Sequence, residues 1–358
     1  MTTAKCGGGA VLVVGGYGAV GVTVTRTLAG WFPDRIVPAG RDLARARRLA
    51  SEVGSGRAAR VDVADSPGFA RVLEDNRVGV VVLCVEPPDA AIARACLAGG
   101  VHLVDVGASH HLLAQVDALG EQAAARGATA VLSVGVAPGL TNQLARRAHE
   151  EVGGADRLDV TVLLGSGESH GADAVRWTVA QLAAPAERRA GGGTRPRRVA
   201  LPGYGIRTAH PFPFSDQHTL RRTLGVPEVT TRMCLDSAPL TAALFGLRRA
   251  GAFRAARNSY ARRVLTSALT RVHLGGEGFA VRADAFGGDR HAAYALTGSA
   301  QSRVTGLVAA HVTRRLLTGG LPAGVHHLDQ LRDLASLPEN LSRYGTTLWT
   351  PDALQAAS

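Results

Sequence analysis

The chain has 358 residues, a length that suggests two domains or one elaborated domain with a sizeable apolar core. Its formal net charge of +11 comes almost wholly from arginine, since Lys5 is the only lysine. Aromatic residues make up only 4% of the chain, too few for a stacking platform that binds single-stranded nucleic acid. The charge therefore favours an anionic cofactor, an acidic substrate or an acidic carrier protein over nucleic acid as a partner.

Other features exclude further classes of protein. The sequence has no apolar run of 18 residues and no charged-then-apolar leader, so we expect a cytoplasmic protein without a membrane segment. The four cysteines are scattered without the spacing of metal ligands, which predicts a reducing compartment and no metal site. Because Lys5 lies in the N-terminal tail, a catalytic lysine inside a domain is excluded.

A glycine-rich turn follows the first predicted strand. Residues 10–14 are an apolar run, typical of a central parallel strand covered on both faces. The next residues fit the pattern G-x-G-x-x-G between a strand and a helix, the context in which it binds a dinucleotide diphosphate at the helix N-terminus. Gly16 is expected to make the tight turn, Gly18 to admit the diphosphate and Gly21 to let helix and strand pack closely. The predicted cofactor-binding residues here are Gly16, Tyr17, Gly18, Ala19, Val20 and Gly21.

The end of the second predicted strand, residues 36–39, indicates which dinucleotide is bound. NAD-binding domains usually place an acidic residue there for the ribose 2′-hydroxyl, whereas an arginine accommodates a 2′-phosphate. Arg41 follows this strand and can fork onto a phosphate, so we predict NADP (NADPH). In the alternative interpretation Arg41 is solvated and Asp42 only caps the helix 43–53.

The remaining elements of the first domain alternate between strands and helices, which predicts a Rossmann-type doubly wound parallel sheet. The strands are 61–63, 79–85, 101–105 and 128–134, and the helices are 22–30, 66–76 with Ser66 as its cap, 89–98 and 111–126. Ligands lie outside the carboxyl ends of such strands. We therefore add Asp62, Val63, Cys84 and Val85 to the cofactor contacts, although Asp62 can equally be a turn carboxylate.

Three side chains are candidates for chemistry. Asp105 ends the fifth strand, where it could bind a substrate ammonium or shuttle a proton, or else only cap the next turn. His170 lies at a predicted helix start, where the helix field lowers the pKa of an imidazole, but a lone loop histidine is commonly solvated. Asn142 could hydrogen-bond cofactor or substrate, or cap a helix.

The hydrophobic pattern changes from about residue 156. The predicted strands are 158–164, 198–201, 229–235, 278–286 and 290–298, the last two forming a hairpin about residues 287–289, and the helices are 172–183, 239–248, 259–272 and 302–317. This pattern predicts an α+β substrate domain on an antiparallel sheet, with one face free to line a cleft or a dimer interface.

Polar clusters in this second domain have competing interpretations. Residues 215–218 (SDQH) could form the rim of a pocket or a turn. Arg195, Arg197 and Arg198 could clamp a carboxylate or phosphate, although a solvated loop is the favoured interpretation. Arg257, Arg262 and Arg263 could form a docking stripe for an acidic carrier protein.

The ordered set of motifs resembles the saccharopine dehydrogenase family of NAD(P)-dependent reductases. These motifs are residues 15–21 (GGYGAVG), 39–41 (AGR), 62–63 (DV), 84–88 (CVEPP), 95–105 (ACLAGGVHLVD) and 135–142 (GVAPGLTN). The resemblance implies a Rossmann domain over residues 1–142, a substrate and dimerisation domain over residues 143–318, and a segment 319–358 that returns to the Rossmann domain. It leaves the substrate open.

We therefore predict an NADP-dependent reductase or dehydrogenase that moves hydride between nicotinamide and the imine carbon of a small amine or amino-acid-like metabolite. The basic charge of the chain is compatible with an anionic substrate. An iminium needs less acid catalysis than a ketone because it already carries the positive charge that hydride neutralises, which suits a chain without a catalytic lysine. The alternatives are a reductase of activated C=C bonds and a non-catalytic NADP(H) sensor or scaffold. A homodimer is expected.

Overall fold

A computed structural model describes residues 9–168, 172–184, 195–258, 267 and 275–356. The chain forms two compact units. The first contains residues 1–135 and 302–337, and the second contains residues 136–301 and 338–358. Each unit is built on its own seven-stranded sheet.

Fourteen strands and thirteen helices are described below in chain order. The strands are β1 Ala10–Val14, β2 Ile36–Gly40, β3 Ala59–Arg60, β4 Val78–Leu83, β5 His102–Asp105, β6 Thr129–Leu132, β7 Arg157–Leu164, β8 Arg197–Leu201, β9 Gly205–Pro211, β10 Glu228–Leu235, β11 Gly278–Gly287, β12 Arg290–Ser299, β13 Gly324–His327 and β14 Thr347–Trp349. The helices are α1 Gly21–Trp31, α2 Leu43–Glu52, α3 Ser66–Asp75, α4 Ala91–Ala98, α5 His110–Asp117, α6 Gly120–Ala125, α7 Thr141–Glu151, α8 Ala172–Ala183, α9 Asp216–Leu224, α10 Ala238–Arg249, α11 Gln301–Leu317, α12 Leu337–Asn340 and α13 Pro351–Ala356.

The sheet of the first unit is parallel throughout, in the order β13-β6-β5-β4-β1-β2-β3. Its central strand β1 is completely buried, as its uninterrupted apolar sequence predicts for a strand covered on both faces. Alternate residues Ala10, Leu12 and Val14 pack into a core with α3 and α4. On α11, Gly306 allows close approach to Thr23 of α1. This order confirms the predicted doubly wound sheet and places the strand order reversal between β1 and β4.

The sheet of the second unit is mixed, in the order β14-β12-β11-β7-β10-β9-β8. The predicted hairpin about residues 287–289 is confirmed by the pairing of Gly287 with Arg290. Strand β9 pairs with β10 only at its carboxyl end, through His210 and Pro211. Leu201 of the β8–β9 hairpin packs with Leu163 of β7 and Cys234 of β10 in a small hydrophobic core.

The second sheet differs from the expected antiparallel one because β7 and β10 pair in parallel along their whole lengths. The connection between them contains α8, β8, β9 and α9, which is long enough for a crossover. Strands β9, β13 and β14 were not predicted from the sequence. Strand β9 ends in a histidine and a proline, and β13 and β14 are only four and three residues long.

The bounds of the two units also differ from the predicted domains. Residues 302–337 belong to the first unit, where β13 adds a seventh strand beside β6. Residues 338–358 belong to the second unit, where β14 pairs with β12, so this tail does not return to the Rossmann sheet as expected.

Three local expectations for the first unit also need correction. The third strand is residues 59–60 rather than 61–63. The cap of α3 is Asp65, whose carboxylate accepts a hydrogen bond from the Gly68 amide, rather than Ser66. The expected helix 111–126 is divided into α5 and α6. The predicted basic helix 259–272 lies outside the described residues except for Ser267.

In the parts of the chain that the structure describes, no helix is both long and apolar enough to cross a membrane.

Candidate functional site

The glycine turn after β1 is shaped by steric requirements at three positions. Gly15 has a φ of +77°, which disfavours residues with a Cβ atom. A Cβ on Gly16 would lie 2.9 Å from the carbonyl oxygen of Val13. A Cβ on Gly21 would overlap the carbonyl oxygen of Gly15, so only glycine lets α1 begin this close to the end of β1. These are the roles that the sequence predicted for the first and last glycines of the pattern.

The N-terminus of α1 has the properties of an anion-binding site. Its N-cap position, Val20, forms no side-chain cap hydrogen bond, and the first turn contains no acidic residue. The N-terminal amides of a helix carry partial positive charge, and a diphosphate can satisfy them. Gly18 and Ala19 are exposed, so the backbone here is accessible to a ligand. The turn therefore fits the diphosphate of a dinucleotide.

Tyr17 joins this turn to the end of β2. Its hydroxyl accepts a hydrogen bond from the Asp42 amide at 2.9 Å, and its ring lies so close to Gly40 that a Cβ there would clash. The guanidinium of Arg45 lies 4.6 Å from the centre of the Tyr17 ring, a cation–π contact. Arg45 was not singled out in the sequence, although its position in an arginine-rich helix beside the predicted phosphate residue was a usable signal.

Arg41 extends from the carboxyl end of β2 as an exposed side chain. The neighbouring Asp42 caps α2, because its carboxylate accepts a hydrogen bond from the Arg45 amide at 3.1 Å. The capping role that the sequence allowed for Asp42 is thus confirmed. It leaves Arg41 as the cation at the tip of the strand, where the 2′-phosphate was predicted to bind.

The other predicted cofactor contacts follow the ends of neighbouring strands. Cys84 and Val85 come directly after β4, and the Cys84 amide donates to the Val14 carbonyl of β1 at 2.9 Å. Burial, and secondly the charge of Asp105, raise the pKa of the Cys84 thiol to about 12, so it stays protonated at neutral pH. Asp62 and Val63 follow β3, and the Asp62 carboxylate accepts from the Ala64 amide at 3.0 Å, as in a turn.

Asp105 is the last residue of β5 and is only 4% exposed. Its Oδ1 accepts a hydrogen bond from the Gly107 amide at 2.7 Å. Burial raises the pKa of this carboxyl from its ordinary 3.8 to about 6, the Gly107 hydrogen bond opposes the rise, and the charge of Glu86 adds to it. A carboxyl group with this pKa can hold or release a proton near neutral pH. No positively charged side chain contributes to the shift of its pKa.

A buried polar pair lies on the neighbouring strands and was missed in the sequence. Ser133 follows β6 with a φ of +55°, and its Oγ lies 2.8 Å from Nδ1 of His327 at the end of β13. The Nε2 of His327 lies 4.0 Å from a carboxylate oxygen of Asp117. The amide of Val134, the residue after Ser133, donates to the Asp105 carbonyl at 3.2 Å, so this pair supports the edge of the sheet beside Asp105.

Asn142 lies in the second unit, in the first turn of α7, and is completely buried. Its Oδ1 accepts a hydrogen bond from the Gly139 amide at 3.0 Å. Its Nδ2 has no hydrogen-bond partner among the described residues. A buried amide donor of this kind is available to a ligand. His170 lies outside the described residues, so its predicted role stays a prediction.

The structure describes part of the polar clusters that were singled out in the second unit. Ser215 and Asp216 are completely buried where α9 begins, so they are not an exposed pocket rim. Arg197 and Arg198 are exposed, as the favoured interpretation of a solvated segment expected, but they lie on strand β8 rather than in a loop, and Arg197 forms an ion pair with Asp159 on β7. Of the suggested docking stripe, Arg262 and Arg263 lie outside the described residues.

Comparisons with known proteins agree with this geometry. Residues 11–131 match the family model of the saccharopine dehydrogenase NADP binding domain, which confirms the resemblance noted in the sequence and the predicted cofactor class. The structure is similar to apo histidine-tagged saccharopine dehydrogenase (L-Glu forming) from Saccharomyces cerevisiae, with a TM-score of 0.66, 16% identity, and coverage of 96% of this chain and 100% of that one.

A 3-ketoacyl-(acyl-carrier-protein) reductase from Brucella melitensis is similar over 35% of this chain and 74% of its own, at 16% identity and a TM-score of 0.28. A comparison with curated protein sequences finds no match.

Proposed function

We propose that this chain, a saccharopine dehydrogenase-like NAD(P)-dependent oxidoreductase, uses NADPH to reduce the C=N bond of a small amine or amino-acid-like metabolite. The observation that carries the proposal is Asp105, a buried carboxyl at the carboxyl end of β5 whose pKa is raised to about 6. Strand β5 is two strands from β1, on the side of the sheet where ligands of this fold bind.

Residues of the first unit fit the cofactor. The glycine turn and the uncapped start of α1 would hold the diphosphate, and Arg41 would bind the ribose 2′-phosphate and favour NADPH over NADH. Cys84 and Val85 would line the nicotinamide end with small side chains. When bound, NADPH supplies the hydride.

Asp105 suits an imine better than a ketone. Above pH 6 the Asp105 carboxylate is negatively charged, and no arginine contributes to its pKa shift. An iminium substrate can therefore provide the positive charge that this carboxylate lacks. Reduction of an iminium consumes that positive charge and needs no proton donated to carbon or oxygen. The lack of a lysine inside the domains is consistent with this requirement.

The test is NADPH oxidation with a panel of imines, ketones and enoyl thioesters, using wild-type protein, Asp105→Asn and Asp75→Asn. We expect turnover of imines only, and a loss of at least about a hundredfold in kcat for Asp105→Asn. Asp75 is exposed at the end of α3, and its variant should retain full activity. The wild-type rate should fall as the pH drops through about 6, because protonation removes the negative charge, and Asp105→Asn should lack this inflection.

Other outcomes would replace the proposal. Turnover of enoyl thioesters alone would make the chain a C=C reductase. Tight NADPH binding without any turnover would make it a sensor or scaffold. A kcat for Asp105→Asn within about threefold of wild type, which is under 1 kcal/mol of activation free energy, would remove Asp105 from the reaction. The expected homodimer and the anionic character of the substrate are further parts of this proposal, and the mass of the protein in solution tests the first.

A further inference from the structure

The second unit contains a charged cavity that is separate from every residue assigned above to the cofactor or to chemistry. Its volume is about 180 Å³. Its lining residues come from strands β7, β8, β10 and β11 of the second sheet. Four arginines and two aspartates contribute most of its lining, namely Arg197, Arg198, Arg232, Arg282, Asp159 and Asp284. We call this the arginine cavity.

The strand register builds the floor of the arginine cavity. Asp159 on β7 is opposite Asp284 on β11, and Thr161, two residues further along, is opposite Arg282. On the other side of β7, Thr161 is also opposite Arg232 of β10. Because side chains at positions i and i+2 of a strand share a face, these residues form a row of carboxylates next to a row of guanidinium groups.

The carboxylates are already saturated by this chain. The Oδ1 of Asp159 accepts from Arg232 at 2.7 Å, and its Oδ2 accepts from Arg197 and lies 3.5 Å from Nε of Arg157. The two oxygens of Asp284 accept from Arg282 at 2.7 and 2.9 Å, and His291 also donates to one of them. One carboxylate therefore serves three guanidinium groups, and the second serves a guanidinium and an imidazole.

Positive charge is left over in the arginine cavity. Its lining carries four arginines against two aspartates, and Arg232 is only 6% exposed. Among the described residues the side chain of Arg198 forms no ion pair or hydrogen bond, while its backbone pairs with Thr208 of β9. Arg197 and Arg198 on β8 are exposed, whereas Arg232 and Arg282 are largely buried. Guanidinium groups bind carboxylates and phosphates with paired hydrogen bonds. Two positive charges remain after each aspartate has compensated one arginine.

We propose that the arginine cavity binds a small dianion that carries carboxylate or phosphate groups. Arg198 and the free guanidinium nitrogens of Arg197 and Arg232 would donate to it. The volume of about 180 Å³ is below that of pockets for drug-sized ligands, which favours inorganic phosphate or a short dicarboxylate. The site does not depend on the proposed imine reduction, since it uses none of the same residues.

The test measures binding of inorganic phosphate and of succinate to the full chain by isothermal titration calorimetry at constant ionic strength. The proteins compared are wild type, Arg198→Gln and Arg249→Gln. Arg249 is an exposed arginine on α10 of the same unit and does not line the cavity, so its variant controls for the loss of one positive charge. We expect saturable binding to wild type and Arg249→Gln, and affinity at least tenfold lower for Arg198→Gln.

The two probes distinguish the chemistry, because tighter binding of succinate identifies a dicarboxylate site and tighter binding of phosphate a phosphate site. Phosphate bound at the glycine turn of the first unit would be insensitive to Arg198→Gln. Equal affinities of wild type and Arg198→Gln, or no saturable binding of either anion, would overturn the proposal. A change from dimer to monomer in Arg198→Gln without anion binding would also overturn it and make this face an interface between copies of the chain. Arg232→Gln provides a second variant that should abolish binding.

Discussion

Asp105 in the first unit and Asp284 in the second are aspartates of almost equal burial, 4% and 8% exposed, yet their carboxyl pKa values move in opposite directions. Burial raises the pKa of Asp105, and only a backbone amide opposes it. Burial also raises the pKa of Asp284, but hydrogen bonds from His291 and Arg282 and their positive charges outweigh it and lower the pKa below 3.8. Asp284 of the second sheet thus has positively charged partners, whereas Asp105 at the edge of the first sheet has none among the causes of its pKa shift.

This difference separates a structural aspartate from a functional one. A carboxylate whose oxygens are both paired by the fold contributes to stability and has no charge left for a ligand to compensate. A buried group that the fold has left without a counter-charge costs stability, and a ligand can compensate it. The comparison therefore makes predictions of opposite sign for the same substitution at the two sites.

The largest expected effect is that of Asp284→Asn. Removing the carboxylate leaves the largely buried guanidinium of Arg282 without its partner, which typically costs about 3–5 kcal/mol. The stabilising contribution is present above pH 3.8 and is lost as the pH falls through the lowered pKa, so the difference from wild type should shrink in acid. Urea unfolding at pH 7 and pH 3 measures both values.

Asp289→Asn is the matched control for this substitution, since Asp289 is exposed in the turn of the same hairpin. Its free energy of unfolding should stay within about 0.5 kcal/mol of wild type. Equal unfolding free energies for Asp284→Asn and Asp289→Asn would show that the ion pairs of Asp284 do not stabilise the second sheet.

The smaller and opposite effect is that of Asp105→Asn on stability. A carboxyl whose pKa rises from 3.8 to about 6 on folding costs the folded state about 3 kcal/mol once it is ionised. This free-energy cost is absent below pH 3.8, grows between about pH 4 and pH 6, and reaches its full value above pH 6. Asp105→Asn should therefore match wild type at pH 4 and be more stable at pH 8, by up to about 3 kcal/mol.

Denaturant unfolding at pH 4, 6 and 8 tests this pH dependence. Asp75→Asn should show no such trend, because Asp75 is exposed. A variant Asp105→Asn that is less stable than wild type at pH 8 would mean that the Gly107 hydrogen bond outweighs the cost of burying the charge. The contrast between the two aspartates would then disappear.

The features that could be predicted from the sequence are those that depend on residues close together in the chain. The apolar run of β1 and the glycines after it specify the first turn, because a Cβ at Gly16 or Gly21 has no space. The position of Asp105 at the end of an apolar strand was equally readable. Alternation along β11 even places Arg282 and Asp284 on one face.

The parts that could not be predicted depend on which strands become neighbours. Asp159 is paired by Arg232 from β10 and by Arg197 from β8, and nothing local in the sequence relates these strands. The parallel pairing of β7 with β10 arises across a long connection, so the pattern of neither strand specifies its direction. The same limitation hid the contact between Ser133 and His327, which joins residues from the two segments of the first unit.

The smallest effect is expected at the other unpaired charge of the first sheet, Arg41. This exposed guanidinium has no carboxylate partner among the described residues, and the proposal assigns it to the 2′-phosphate of the cofactor. Arg41→Ala should therefore weaken NADPH binding about tenfold, or about 1.4 kcal/mol, while the affinity for NADH changes less than twofold. Arg71→Ala, which removes an exposed arginine from α3, should change neither affinity. Fluorescence titration with both nucleotides decides the matter, because an equal loss of NADH and NADPH affinity in Arg41→Ala would show that this arginine does not recognise the 2′-phosphate.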